Sequence, residues 1–532
     1  MIRIHHALLV LTCLLSPLAM ADAVQDEIRA RFADVQDREL TASAAGLPQA
    51  MAQFYAARDW APVWDEARLT GLVEQLSALY TDGLDPQVYG VGLLQREPVV
   101  GESPAQKAER DLIATRGYLL ALLHLVKGKA DPARLDAHWN FEGSPLEPLS
   151  GLAAAREAAE KNALPTIFQR ARPARPQYNA LRSALARYRV MELEGGWKTL
   201  PAGSPLKPGM RDVRVPLLRE RLQVAGLLGL DVPADPWRYD DALKAAVMRF
   251  QAESYLSSDG VVGPGTLAVL NIPVSVRIDQ IRANLERLRW FRQETAGDAV
   301  IVDLAGYRIA YVRDGKTLWR SEVQIGKEYR ATPVFRSEIS HLTLSPGWVV
   351  PPTIFREDAL PAIRRNPDYL SRQRMKVFNA MGQEIPASAV NWRNPGNITL
   401  RQQPGADGAL GELVIRFDNL YSIYLHDTPH KSLFAASQRA TSSGCIRVQN
   451  IHELAVLLLD DPAKWSREGL QSAINERVTR NVKLTRKIPI LLAYWTVDVG
   501  ADGYVSFKPD VYKQDVALVA ALDAPTELAP LL

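Results

Sequence analysis

A single cysteine in this sequence has neighbours that suit chemistry. Cys445 lies in the segment 441–448 (TSSGCIRV), and the other cysteine, Cys13, lies in an apolar N-terminal run that we expect to be removed. An exported chain with one remaining thiol cannot use it for an internal disulfide. Cys445 is therefore inert in a core, paired with another chain, or chemically active.

A histidine nineteen positions upstream is a candidate base for this thiol. In the segment 421–426 (YSIYLH), period-two alternation puts Ser422, Tyr424 and His426 on one strand face and the apolar residues on the other. A thiol is a useful nucleophile only as thiolate, and a nearby imidazole can take its proton and later return one to a leaving amine. Cys445 is therefore a candidate nucleophile, and His426 is a candidate general base and acid.

Gly444 favours the same chemistry. Glycine lets the backbone approach a substrate closely, so the amides around Ser443 to Cys445 are candidate oxyanion donors, each worth roughly 2.7 to 4 kcal/mol. Spacing by itself does not decide the matter, because a lone cysteine is often buried for packing and His426 could be a satisfied core histidine.

Strand patterns surround these residues from residue 298 onward. Apolar runs at 300–303 and 307–312, followed by the turn residues Asp314 and Gly315, predict a mainly β domain. We expect further strands at 412–417, 421–426 and 488–497, and a helix at 451–459 that starts with a capping-box-like pair, Asn450 and Glu453. The stretch 351–403 is rich in Pro, Arg and Asn and interrupts the strands, which predicts a functional insertion such as a lid over a groove.

The region upstream is helical. Residues 22–200 are rich in Ala, Leu, Arg and Glu at helical spacing, which predicts a helical scaffold. A Pro/Gly-rich linker at 201–209 leads into a compact unit over 207–273, where we expect three short helices, the second of them capped by Asp240.

The first residues resemble an export signal. A basic start, an apolar run at 7–15 and small residues at 19–21 predict a signal peptide over 1–21 and a periplasmic protein, with a retained N-terminal anchor as the alternative. Removing this leader leaves 62 basic and 60 acidic residues, so the charge balance gives no reason to expect a nucleic-acid partner.

The motif as a whole resembles the signature of the L,D-transpeptidases with a YkuD-type catalytic domain. That signature is a histidine, a variable stretch, and then Ser/Thr-His-Gly-Cys-hydrophobic-Arg/Asn, and here His426 precedes the segment 442–447 (SSGCIR). Ser443 stands where many members have a second histidine. The segments 325–326, 330–335 (RATPVF) and 348–352 (WVVPP) resemble the YcbB-like periplasmic branch, and the unit at 207–273 resembles a three-helix peptidoglycan-binding-like domain.

This resemblance implies a multidomain α+β protein. A signal peptide (1–21) precedes a helical scaffold (22–200), a peptidoglycan-binding-like domain (207–273) and a mainly β catalytic domain (298–480) with a capping insertion (351–403). A C-terminal strand and tail (481–532) would pack on the catalytic domain.

The resemblance also implies a reaction. Cys445 would attack the carbonyl of the L-centre of diaminopimelate in a donor tetrapeptide stem, expel the terminal D-Ala, and pass the acyl group to a second stem as a 3→3 cross-link in cell-wall synthesis. No metal or cofactor is required. Carbapenem β-lactams would acylate Cys445, and other wall-synthesis proteins are candidate partners. Arg447 could orient a substrate carboxylate or the catalytic loop, or form an internal ion pair, and Tyr424 could line the oxyanion side or only cover the groove.

Two alternatives stay open. A cell-wall thiol carboxypeptidase or endopeptidase would use the same Cys445–His426 pair and let water resolve the thioester. A non-catalytic wall-binding scaffold would keep the domains without needing a reactive thiol. A zinc peptidase is disfavoured because the histidines form no ligand-spaced cluster in the sequence.

Overall fold

A computed structural model describes residues 17–33, 46–97, 101–137, 139–141, 148–291 and 297–525. Most of the predicted signal peptide lies outside these residues. The N-terminal region is helical, as predicted, with helices at Pro17–Arg31, Leu47–Ala56, Glu66–Ala78, Val91–Leu94, Pro104–Lys127, Pro132–Leu135, Pro148–Glu160, Leu164–Ala171 and Pro176–Leu193. None of the helices in the described ranges is both long and apolar enough to cross a membrane.

The helix Pro104–Lys127 forms the centre of this scaffold. It begins with a capping box in which the Ser103 hydroxyl accepts from the Gln106 amide and the Gln106 side chain accepts from the Ser103 amide, which satisfies two otherwise unpaired donors. Its buried face packs against the neighbouring helices in one apolar core. Burial of such a face, rather than intrinsic propensity, supplies most of a helix's stability.

The compact unit contains the three predicted helices, Val215–Val224, Asp241–Glu253 and Pro264–Leu270. The Asp240 carboxylate accepts from the Leu243 amide at 2.9 Å, so the predicted N-cap is confirmed. The helix Val274–Trp290 follows and is buried along most of its length between the scaffold and the C-terminal region.

The β domain is built from fifteen strands in the described part of the chain. They are β1 Ala299–Asp303, β2 Arg308–Arg313, β3 Lys316–Gly326, β4 Phe335–Leu344, β5 Trp348–Val349, β6 Met375–Phe378, β7 Glu384–Ile385, β8 Thr399–Gln402, β9 Leu413–Phe417, β10 Leu425–His426, β11 Ala440–Ser442, β12 Ile446–Val448, β13 Arg480–Ala493, β14 Val497–Val499 and β15 Val505–Phe507.

Nine of these strands form one sheet in the order β11-β3-β12-β10-β9-β4-β13-β1-β2, and β2 also pairs with β3, so the sheet curls back on itself. The helices Ile451–Leu459 and Arg467–Asn475 cover its apolar face. The first helix occupies its predicted place, but Asn450 lies in the left-handed region with a φ of 53° and its side chain makes no capping bond, so the capping-box prediction is wrong.

The insertion has its own structure, which its Pro-rich sequence did not predict. The strands β5, β8, β6 and β7 form a second sheet, which a π-helical turn at Phe355–Ala359 and the helices Pro352–Ile354, Leu360–Arg365 and Tyr369–Arg372 accompany. Its apolar side chains make a separate small core, so the segment from Trp348 to Gln402 is a folded subdomain. We call it the cap.

The C-terminal region differs from the prediction in two ways. The strand β13 lies inside the sheet, parallel to β1 and antiparallel to β4, so a boundary at residue 480 would remove an interior strand. The tail contacts the β domain through Val511 and Tyr512, but the final helix, Gln514–Asp523, packs Leu518 and Leu522 into the scaffold core. Both differences arise from long-range pairing, which local sequence patterns do not encode.

Candidate active site

Strand pairing brings the predicted site residues together. The strands β10 and β12 are parallel neighbours, with Leu425 opposite Ile446 and His426 opposite Arg447. Because side chains alternate along a strand, Tyr424 and His426 share one face with Cys445 and Arg447. The predicted strand over 421–426 is shorter than expected, because Ser422 has a φ of 57° and only Leu425–His426 pair.

The Cys445 thiol is half-buried and held by two neighbours. Its Sγ donates to the Ser422 carbonyl at 3.6 Å, and hydrogen bonding by the Tyr424 amide and hydroxyl acts to lower the pKa of the thiol. Sequence reasoning placed Tyr424 on the site face but did not identify this influence. Hydrogen-bond donors near a sulfur stabilise its thiolate.

The resting thiol is nevertheless protonated. Burial is the largest influence and raises the pKa of Cys445, whereas the two Tyr424 bonds, and then the charges of Arg416 and Arg447, act to lower it. Arg416 lies 5.1 Å from the centre of the Tyr424 ring. A base would therefore be needed to form a thiolate at this position.

His426 is buried, with 4% of its surface exposed. Its Nδ1 lies 2.5 Å from the Asp427 carbonyl, which can only accept, so we assign the ring proton to Nδ1. Burial and then Arg447 lower the pKa of His426 to about 3, outweighing the carbonyls of Asp427 and Leu410, which favour the protonated ring. The imidazole is therefore neutral, and its Nε2 is the nitrogen with a lone pair.

Among the hydrogen bonds of the described residues, the thiol bonds to the Ser422 carbonyl rather than to the His426 ring. The centre of the Tyr424 ring is 5.7 Å from that of the His426 ring. Diagonal neighbours on adjacent strands are about 7–8 Å apart at their backbones, a span that long side chains and a substrate can bridge.

Gly444 has a φ of +116°, a conformation that other residues adopt only with strain. Its amide donates to the Ser442 hydroxyl at 3.2 Å, and that hydroxyl donates to the Cys445 carbonyl at 2.6 Å. The Gly444 amide is thus already paired, so of the predicted oxyanion donors the Cys445 amide is the better candidate.

Arg447 and Ser443 have different surroundings. An Arg447 NH group donates to Gln324 Oε1 at 3.1 Å, and among the residues that the structure describes it has no acidic ion-pair partner. Ser443 is exposed and its hydroxyl accepts from Arg330 at 2.8 Å. The structure thus argues against the internal ion pair considered for Arg447.

Sequence reasoning gave no role to several residues that support this site. The Thr332 hydroxyl accepts from the Gly326 amide at 2.9 Å and donates to the Gly444 carbonyl at 2.7 Å. Hydrogen bonding by the Trp348 side chain, at the base of the cap, acts to lower the pKa of Tyr424. The segments 325–326, 330–335 and 348–352 contain these residues, but the sequence assigned them no contacts.

A group of possible metal ligands lies next to His426. Ligand atoms of Glu412, Asp427 and His452 lie within 4.8 Å of one another. The Asp427 carboxylate, however, accepts from the Glu412 amide at 3.0 Å and pairs with the Lys431 ammonium. Because that ammonium already neutralises Asp427, the donor set fits an internal ion pair better than a cation site.

Three regions of the chain match known families. Residues 49–185 match a family described as "Scaffold domain", residues 211–270 one described as "Putative peptidoglycan binding domain", and residues 297–464 the "L,D-transpeptidase catalytic domain". The resemblance and the fold class predicted from the sequence are confirmed. The domain boundaries other than the one at residue 480 stay predictions.

The chain is also similar to individual proteins. It is 30% identical over 239 residues to a Haemophilus influenzae protein named "Putative L,D-transpeptidase", which covers 44% of this chain and 48% of that protein. The chain thus spans about half the length of that curated relative.

Solved structures with similarity are L,D-transpeptidases too. One is from Xylanimonas cellulosilytica, with 16% identity and a TM-score of 0.17, and the match covers 55% of this chain and 99% of that chain. Another is from Stackebrandtia nassauensis, with 14% identity and a TM-score of 0.21, and the match covers 54% of this chain and 94% of that chain. A third is LdtMt1 in complex with imipenem, with 13% identity and a TM-score of 0.16, and the match covers 37% of this chain and 59% of that chain.

Proposed function

We propose that this chain, whose residues 297–464 form an L,D-transpeptidase catalytic domain, cross-links peptidoglycan stem peptides through a thioester on Cys445. The observation that supports this most is the parallel pairing of β10 with β12, which puts His426 on the same sheet face as the thiol. The two Tyr424 donors on the sulfur add to this support.

The first half of the proposed reaction acylates Cys445. Nε2 of neutral His426 accepts the thiol proton, and the sulfur attacks the carbonyl carbon of the L-centre of diaminopimelate. The Cys445 amide donates to the oxyanion. When the C–N bond breaks, His426 returns the proton to the nitrogen of the departing D-Ala, and a thioester remains.

The second half transfers the acyl group. The side-chain amine of diaminopimelate in a second stem attacks the thioester carbonyl and gives its proton to His426. The C–S bond breaks, the new amide is the 3→3 cross-link, and the proton passes to the departing thiolate. The energy of the original peptide bond is kept in the thioester, so no nucleotide is consumed.

We propose a periplasmic, wall-associated location, because residues 211–270 match a peptidoglycan-binding family and residues 1–21 have the pattern of an export signal. We propose that the unit at 207–273 keeps the catalytic domain near its polymer. Sequencing the N-terminus of protein recovered from a periplasmic extract tests the location, and a start near residue 22 is expected. Carbapenems are proposed to acylate Cys445, and other wall-synthesis proteins are proposed partners.

Product analysis tests the reaction. The full chain is incubated with a disaccharide-tetrapeptide, and the products are separated and sequenced by mass spectrometry. We expect a dimer joined between two diaminopimelate residues, with one D-Ala released for each cross-link. Trimmed monomers without dimers would instead identify a thiol carboxypeptidase.

The matched control is Cys445→Ala, which removes only the sulfur. This variant should form neither dimers nor trimmed monomers while it retains binding to purified peptidoglycan. Equal binding and equal wall composition in cells with either form would favour the non-catalytic scaffold.

A further inference from the structure

Arg330 connects the cap to the loop that carries the nucleophile. One of its NH groups donates to the Ser443 hydroxyl at 2.8 Å, two residues before Cys445. The same guanidinium donates to Asp358 at 2.6 Å and to Glu357 at 2.6 Å. One arginine thus holds two cap carboxylates beside the reactive thiol.

The guanidinium is well shielded. Only 11% of the Arg330 side chain is exposed, and its Nε is buried without a hydrogen-bond partner among the described residues. Charge-assisted hydrogen bonds strengthen as water is excluded, and a planar guanidinium fits a carboxylate with two parallel bonds. Arg330 therefore has both the charge and a spare donor for a carboxylate ligand.

Its two present partners are held less firmly. The Glu357 and Asp358 side chains are 55% and 50% exposed. Both lie in the π-helical turn Phe355–Ala359, and such turns are uncommon and frequent at functional sites. Exposed carboxylates lose little when they return to water, so an incoming carboxylate can replace one of them on the guanidinium.

We propose that Arg330 binds a carboxylate of the donor stem peptide in place of Glu357 or Asp358 and so selects donors with a free carboxylate near the scissile bond. This rests on the proposed function, in which the donor carries carboxylates on diaminopimelate and on the terminal D-Ala. Glu357 and Asp358 act as internal competitors that occupy the site until substrate enters. Arg330 is therefore a specificity-determining residue.

The test measures acylation of the full chain by mass spectrometry with three donors. They are the free-acid tetrapeptide, the same peptide amidated at the terminal D-Ala, and the same peptide amidated at the diaminopimelate carboxylate. We expect one amidation to raise the half-saturating concentration about tenfold, which identifies the bound carboxylate. Arg330→Gln should raise it about tenfold for the free acid and remove the difference between acid and amide.

Removing the competitors should have the opposite effect. The double variant Glu357→Gln, Asp358→Asn should lower the half-saturating concentration for the free-acid donor. For the amidated donor that binds less well to wild type, the half-saturating concentration should stay within about twofold of the wild-type value. Glu384→Gln is the control, since it breaks the Lys376–Glu384 pair at 2.8 Å elsewhere in the cap. Arg330→Lys keeps the charge but not the planar fork, so partial recovery relative to Arg330→Gln is expected.

Two results would overturn the inference alone. Wild-type acylation that ignores both amidations would show that neither of these two carboxylates is bound, and an Arg330→Gln defect equal for all donors would show that Arg330 only clamps the cap. Failure of the wild-type protein to form an acyl-enzyme with any stem donor would overturn the proposed function, and the inference with it.

Discussion

Two buried histidines in different regions of this molecule have similarly lowered pKa values but different neighbours. His124, in the scaffold helix Pro104–Lys127, is 5% exposed, and His426, on β10, is 4% exposed. Burial is the main influence that lowers the pKa of each to about 3. A pKa this low leaves both rings neutral at neutral pH, so the pKa does not distinguish a catalytic base from a core histidine.

Their neighbours separate them. The Nδ1 of His124 makes a 3.0 Å hydrogen bond with the Tyr89 hydroxyl inside an apolar helical core. The Nδ1 of His426 faces a main-chain carbonyl. His426 lies on β10, which pairs with β12, and β12 begins directly after Cys445. A lowered pKa therefore reports burial, and the strand register is what relates a histidine to a nucleophile.

The largest expected difference between the two regions is in the rate of acylation. His426→Gln should lower kcat/KM by about 100- to 10,000-fold, because the amide cannot accept the thiol proton. His124→Gln should leave the rate within about twofold of the wild-type rate, because position 124 lies in the scaffold helix and a glutamine there can still bond to the Tyr89 hydroxyl. Stopped-flow measurement of acyl-enzyme formation gives both values. A similar loss in both variants would show that the comparison is wrong.

Backbone strain gives the next largest effect. Gly444 and Gly101 both have positive φ, +116° and +86°, and nothing lies within 4 Å of a Cβ built on Gly101. Alanine should cost each site roughly 1 kcal/mol of stability through strain. Only Gly444→Ala should also lower acylation, by about 100-fold, because it displaces the nucleophile loop. Unfolding midpoints measured beside acylation rates separate these effects.

A single hydroxyl gives a smaller effect. The Tyr424 hydroxyl bond acts to lower the pKa of Cys445, so Tyr424→Phe should raise the pH at which the thiol reacts with iodoacetamide and slow acylation about tenfold. Tyr89→Phe removes the corresponding hydroxyl beside His124 and should leave thiol reactivity unchanged. An unshifted profile in Tyr424→Phe would remove Tyr424 from the account.

The smallest effect should be shared by both regions. Each histidine has a folded-state pKa of about 3, below its usual 6.5, so the unfolded chain binds more protons between these values. Stability is therefore complete above about pH 6.5 and is lost as the pH falls toward 3. Between pH 7 and pH 6 each histidine should contribute a loss of roughly 0.7 kcal/mol. Denaturant titrations of the two glutamine variants should each show a shallower dependence than wild type.

Local patterns predicted much of the fold. Helical spacing and the Asp240 cap predicted the three-helix unit, and the Asp314-Gly315 turn predicted the hairpin of β2 and β3. The place of β13 inside the sheet and the packing of the helix Gln514–Asp523 on the scaffold were missed, because both depend on contacts between residues far apart in the chain. The cap was predicted as an insertion but not as a folded subdomain, since its strands are short.

The sequence placed the candidate residues Cys445 and His426 in one site but did not predict the residues that contact them. Alternation over 421–426 placed Tyr424 and His426 on one face, yet the positive φ of Ser422 that ends this strand was not foreseen. The roles of Thr332 and Arg330 arise from loops that meet only in the folded chain. The spacing of residues in the sequence does not show which distant loops will be in contact after folding.

Intact-protein mass spectrometry with a carbapenem tests the central claim most directly. If the Cys445 thiol is the nucleophile, the wild-type chain gains one adduct, and digestion locates it on the peptide that contains Cys445. The Cys445→Ser variant should gain none, because serine at this position lacks a comparably acidic group. An adduct that persists in Cys445→Ser, or that maps to another residue, would contradict the account.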